Sequence, residues 1–181
     1  TLWRYVSKVD EEHICKNVFI GKTDVSGMTK EEAVKAVDNT LGDYRNKQLV
    51  LKVKDQGADV SIEEMGAEVE NIDKLAEKAV GYGKNGSIWS RYQKIHNLDK
   101  KKYVIDESFK VDEAKLRELI QERAVPLEQK AVNASASYNG SGFDLTDEAE
   151  GYTVDVDKSV KKIKNFMNKK WNYEDAEVEL K

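Results

Sequence analysis

Asp24-Val25-Ser26-Gly27-Met28-Thr29-Lys30-Glu31-Glu32-Ala33 is a turn that feeds a helix. Ser26-Gly27 is a turn dipeptide. Thr29 and Glu32 have capping-box spacing, in which the hydroxyl accepts from the Glu32 amide and the carboxylate reaches back to the Thr29 amide. Ala33, Val34, Val37 and Leu41 then share one helical stripe, and Gly42 stands where a C-terminal cap belongs. Upstream, Asn17 to Gly21 reads as a short strand. The stretch is therefore strand, turn and capped amphipathic helix.

The rest of the chain extends this alternation. Gln48–Val53 and Ala58–Ile62 predict a hairpin around Gln56-Gly57. Glu64-Met65-Gly66 ends it, and Val69 starts a short extended piece. Ile72, Leu75, Ala76, Ala79 and Val80 mark a second helix, stopped by Gly81. Residues 81–97 read as irregular, with a short helix at Ile88–Tyr92. Tyr103–Ile105 is a strand, and a third helix spans 112–123, closed by Pro126. Ala131–Tyr138 and Phe143–Leu145 flank the hairpin turn Asn139-Gly140-Ser141-Gly142. Val156, Val160, Ile163 and Phe166 mark a fourth helix, and Glu177–Leu180 a last strand. Residues 1–14 read as a partly helical linker.

This order predicts an α+β fold, with about four helices packed on antiparallel hairpins. It also predicts two similar helix-hairpin-helix halves, roughly 15–97 and 98–181. Gly66 and Gly151 occupy matching places in them, each expected at positive φ where the chain leaves a hairpin for a helix. The alternative is that αββα units resemble one another without duplication.

Composition bounds the function. The 181 residues carry 30 basic and 34 acidic side chains, interspersed, for a net charge of −4, so no nucleic-acid footprint is present. No stretch approaches the roughly 20 apolar residues that cross a bilayer, so no direct membrane insertion is expected of this segment. The sequence starts without Met and without a signal peptide, which places any anchor or signal outside it. Cys15 is the one cysteine, so no internal disulfide can form.

No catalytic constellation is evident, and neither cofactor nor metal is expected. Gly81-Tyr82-Gly83-Lys84-Asn85-Gly86 matches G-x-G-x-x-G, but a helix precedes it where a dinucleotide loop needs a strand. It reads as a helix end and a loop. Cys15 reads as a half-buried, inert thiol, although His13 lies two residues away. His13 and His96 have no third ligand at zinc spacing. The many carboxylate pairs, such as Glu63-Glu64 and Asp147-Glu148, assemble no acid–base pair. The remaining candidates are Tyr82, Trp89, Arg91 and Tyr92, which cluster in the irregular segment. They are either a binding surface for a sugar or peptide, or an anchor of that loop on the core.

Val18 to Ala33 resembles the opening of the peptidoglycan-binding domain found in VanW-type proteins and N-terminal to the catalytic domain of some L,D-transpeptidases. Asn85, Gly86, Trp89 and Arg91 stand in places comparable with that family's glycine, asparagine, aromatic and basic positions. The resemblance covers about residues 15–181. It implies a non-catalytic, extracytoplasmic, cell-wall module of a Gram-positive-type bacterium. Residues 1–14 would be the linker after a membrane anchor, and the partners would be peptidoglycan and a C-terminal catalytic or VanW-type domain of the same parent chain. The transpeptidase nucleophile motif, a Cys among His, Gly, Ser and Arg, does not occur here. The rival reading is a structural spacer or protein-interaction domain that positions such a neighbour.

Overall fold

The computed structural model describes residues 2–181. In chain order it contains α1 (Leu2–Val6), β1 (Val18–Ile20), β2 (Thr23–Asp24), α2 (Lys30–Asp43), β3 (Gln48–Val53) and β4 (Gln56–Ser61). Next come β5 (Glu68–Val69), α3 (Ile72–Gly81), α4 (Ile88–Leu98), β6 (Tyr103–Ile105), β7 (Phe109–Lys110) and α5 (Glu113–Leu119). A π-helical turn (Ile120–Ala124) and a 3-10 turn (Val125–Leu127) continue α5, and β8 (Ser135–Tyr138), β9 (Phe143–Thr146), α6 (Val156–Lys169) and β10 (Ala176–Glu179) follow. The class is α+β, as predicted. The small sheets are not built from hairpins alone, however, because two strand pairs are parallel.

The chain forms two units, each made of two segments: Thr1–Arg45 with Glu68–Lys110, and Asn46–Ala67 with Val111–Lys181. These units do not follow the sequential halves 15–97 and 98–181.

In the first unit, β1 is the middle strand. It pairs antiparallel with β2 and parallel with β6. Val18 and Ile20 are fully buried, with Ile105 and Val25 beside them in the core. Asn17, just ahead of β1, has a φ of +57°, a conformation that asparagine tolerates better than most residues. Its carbonyl accepts from the Tyr103 amide at 2.8 Å, and its Nδ2 donates to the Leu98 carbonyl at 2.7 Å. The capping box of α2 is present: the Glu32 amide donates to Thr29 Oγ1 at 3.3 Å and the Thr29 amide to Glu32 Oε2 at 3.0 Å. Ala33, Val37 and Leu41 point inward, while Gly42 lies inside the helix and Tyr44 caps it. Residues read as a linker join this unit: α1 packs on α4, and Val6 and Ile14 are buried.

Glu107 sits against Gly21 in this unit. Burial pushes its carboxyl up to about 7, partly opposed by Lys22. A raised carboxyl pKa contributes stability below its ordinary value of 4.5 and loses it as pH rises through about 7. Urea melts of wild type and Glu107→Gln should therefore agree near pH 4.5, with the variant gaining relative stability from there to about pH 7 and holding that gain above it. A constant difference across that window would refute the assignment.

In the second unit, β3 is the middle strand, antiparallel to β4 and parallel to β10. Leu49, Leu51 and Val53 alternate inward, as the period of two requires. The β3–β4 turn is Lys54-Asp55, with Lys54 at φ +53°, and Gln56 and Gly57 belong to β4 rather than to the turn. From α6, Val160, Ile163 and Met167 enter the core. Arg123 of the π-helical turn grips Glu64 with both terminal nitrogens, at 2.5 and 3.2 Å, and donates to the Asp59 carbonyl at 2.8 Å. That grip holds the Glu64 carboxyl down at about 2. The β8–β9 turn is as predicted, with Asn139 Oδ1 accepting from the amides of Ser141 and Gly142.

Gly66 has the expected positive φ, +62°, but Gly151 does not. Gly151 is required for a different reason: a Cβ there would lie 2.5 Å from the Ala131 amide nitrogen. The isolated bridges Gln129↔Tyr152 and Val132↔Ala149 hold the two backbones together at that point. Both Gly66→Ala and Gly151→Ala should therefore lower stability in urea melts, by about 1 kcal/mol from strain at Gly66 and about 1–3 kcal/mol from the clash at Gly151. Asparagine should recover part of the loss at Gly66 and none at Gly151, and equal recovery at both would refute the distinction.

Candidate functional site

The predicted site residues lie on and around α4. Ser87 caps this helix, its Oγ accepting from the Ser90 amide at 3.3 Å. The helix is 11 residues long, not the short turn predicted at 88–92. Only Ile95 and Leu98 are buried on it, so its apolar pattern is weak.

Trp89, Tyr92 and His96 follow one another along one stripe of the helix. Trp89 and Tyr92 stack with centroids 5.9 Å apart, and Tyr92 and His96 stack at 5.5 Å with planes only 5° apart. From α1, Tyr5 meets Tyr92 edge-on at 5.4 Å. The Tyr5 hydroxyl donates to Asp99 Oδ2 at 3.1 Å. Burial and that carboxylate both push the Tyr5 pKa up. Lys16, 2.5 Å from Asp99 Oδ1, holds the Asp99 carboxyl below its ordinary value. Trp89 is 58% exposed and Trp3 of α1 66%. The result is an exposed Trp89 held by the half-buried Tyr92, able to offer a flat face to the apolar side of a ligand.

The structure thus joins Trp89 to Tyr92 but places the other two predicted residues elsewhere. Arg91 Nη2 lies 3.7 Å from Glu11 Oε1, and its Nε is buried without a hydrogen bond. Tyr82 stacks on Tyr103 at 3.8 Å, with Lys94 Nζ 5.8 Å from its ring. Tyr5 and His96 were not anticipated. The spacing 89, 92, 96 is the signal that could have found His96, had the segment been read as one helix.

The glycine-rich run is a loop, as predicted. Helix α3 ends at Gly81, and Gly83 and Gly86 have φ of +80° and +104°. Within it Lys84 is buried, its ammonium donating to the carbonyls of Glu11 at 3.0 Å and His13 at 2.5 Å. Cys15 is half-buried and its Sγ donates to the Tyr82 carbonyl at 3.5 Å. Burial pushes its thiol pKa up, against a smaller pull from the Lys84 charge. His13 is engaged with Asp10 at 2.9 Å. Among the described residues no group of three or more His, Cys, Asp or Glu could hold a metal ion.

Residues 58–176, two-thirds of the chain, match the family described as "Putative peptidoglycan binding domain". The chain belongs to that family. The match takes in α4 and begins downstream of Val18–Ala33, the stretch that first suggested the resemblance. No curated protein and no solved structure matches this peptidoglycan-binding-family chain. Among the described residues no helix is long and apolar enough to cross a membrane.

A thiol with a raised pKa and no activating base is a poor nucleophile. Alkylation of Cys15 by iodoacetamide at neutral pH should run slower than that of glutathione, and Cys15→Ser should leave ligand retention unchanged. Faster labelling than glutathione would overturn the inert reading.

Proposed function

We propose that this domain is a non-catalytic, extracytoplasmic module that binds peptidoglycan. The family match carries the reading. The stripe of exposed Trp89 and half-buried Tyr92, steadied by Tyr5 and His96, supports it by offering a ring face to glycan. Arg91 and Tyr82, the other two candidates, serve this reading as supports of the surrounding loop. The parent is a membrane-anchored protein of a Gram-positive-type bacterium, of the VanW or L,D-transpeptidase kind. In it the segment ahead of residue 15 leads from the anchor and packs through α1 onto the wall-binding domain.

A second reading has its own observation. The β8–β9 hairpin is exposed throughout, and its register puts Ala136, Tyr138, Phe143 and Leu145 on one face. Leu145 is 76% exposed. Such a face suits a spacer that docks onto the catalytic or VanW-type domain of the same parent.

Retention on purified sacculi separates the two. Trp89→Ala and Tyr92→Ala should each weaken retention roughly threefold to tenfold, the worth of one aromatic stack. Trp89→Ala should leave thermal stability nearly unchanged, since its side chain is largely in solvent. Phe143→Ser with Leu145→Ser should retain like wild type. Failure of wild type to bind sacculi would discard wall binding in favour of the spacer.

A further inference from the structure

A cleft of about 290 Å³ opens beside the C-terminal end of α3, lined by Glu11, Lys30, Glu77, Val80, Lys84 and Asn85 among others. Lys84 is its unusual member. The residue is only 7% exposed, and its ammonium gives two hydrogen bonds, both to backbone carbonyls. An ammonium has three N–H donors. Among the described residues Lys84 makes no ion pair. Buried lysines are rare without a counter-charge, because desolvation penalises the charged form. One buried cation, one donor in hand and no carboxylate beside it describe half of an ion pair whose other half comes from a ligand.

The other charged residues of the lining are already paired. Glu77 is paired with Lys30 at 2.7 Å, and Glu11 lies 3.7 Å from Arg91, both with exposed carboxylates. Both acidic residues of the lining thus have basic partners of their own, and Lys84 is left without one. The volume falls at the lower limit of ordinary ligand sites, enough for an amino-acid-sized group. We propose that this cleft binds the C-terminal carboxylate of a short peptide, seated on Lys84. Naming that peptide as the stem peptide of the wall rests on the wall-binding reading above. The charge complementarity of the cleft does not.

The test is an NMR titration of the ¹⁵N-labelled protein with the stem peptide L-Ala-γ-D-Glu-L-Lys-D-Ala-D-Ala and with its C-terminal amide. The free acid should shift the amides of Gly81, Lys84 and Asn85 saturably. The amide should bind about tenfold or more weakly, since it removes one charge-assisted hydrogen bond. Lys84→Met should remove the preference for the acid. Because the acid–amide comparison uses wild type, it decides even if that variant folds poorly. Equal affinity for acid and amide, or a chitotetraose that shifts the same amides, would overturn the proposal. Sacculus retention without peptide shifts would also overturn it and leave wall binding standing. Peptide shifts without sacculus retention would uphold the cleft and remove the wall as its source.

Discussion

Asn17 is one residue with three attachments, and the first unit depends on it. Its left-handed backbone starts β1, its carbonyl takes the first amide of β6, and its side chain reaches the last carbonyl of α4. Helix ends leave several carbonyls without partners, and a side-chain amide is one of the few groups that can satisfy one from outside the helix. A three-residue strand has little stability of its own, so its pairing relies on such ties. Fixing the end of α4 also steadies His96 and Tyr92, two and six residues earlier on the helix. The helix that carries the aromatic surface is therefore tied down by an amide from outside it.

A second set of ties runs from the glycine-rich loop and α4 to the chain ahead of β1. Lys84 holds the carbonyls of Glu11 and His13, and Arg91 approaches the carboxylate of Glu11. The segment between α1 and β1 has no regular structure, yet cations from two places hold it. Backbone carbonyls satisfy hydrogen-bond geometry without neutralising charge, and for that reason Lys84 remains an electrostatic centre while two of its donors hold the fold.

Much of the fold was legible because its signals are local. The Thr29–Glu32 cap, the helix α6 and the Asn139–Gly142 turn are short-range patterns, and each appears as read, except that Met167 rather than Phe166 completes the buried stripe of α6. The parallel partners of β1 and β3 were not legible, because alternation marks a strand without saying what lies beside it. Helix α4 was foreshortened since Ile88 and Trp89, its most apolar start, face solvent. Gly66 and Gly151 looked equivalent because sequence shows only that a side chain is absent. One glycine answers to a dihedral angle and the other to a neighbouring backbone. Within the site, Trp89 and Tyr92 were legible from their spacing. Lys84 was not, because a lysine looks the same in sequence whether it is buried or exposed.

The pairing of β3 with β10 has a consequence for how the protein is made. Residues 48–53 leave the ribosome early, but their parallel partner at residues 176–179 is synthesised far later. Until then one edge of β3 can be filled only by solvent or by a stranger. Closing so long a loop slows folding more than it lowers final stability. Any machinery that moves the chain in an unfolded state thus has a window, lasting until residues 176–179 are made, in which the second sheet cannot yet lock.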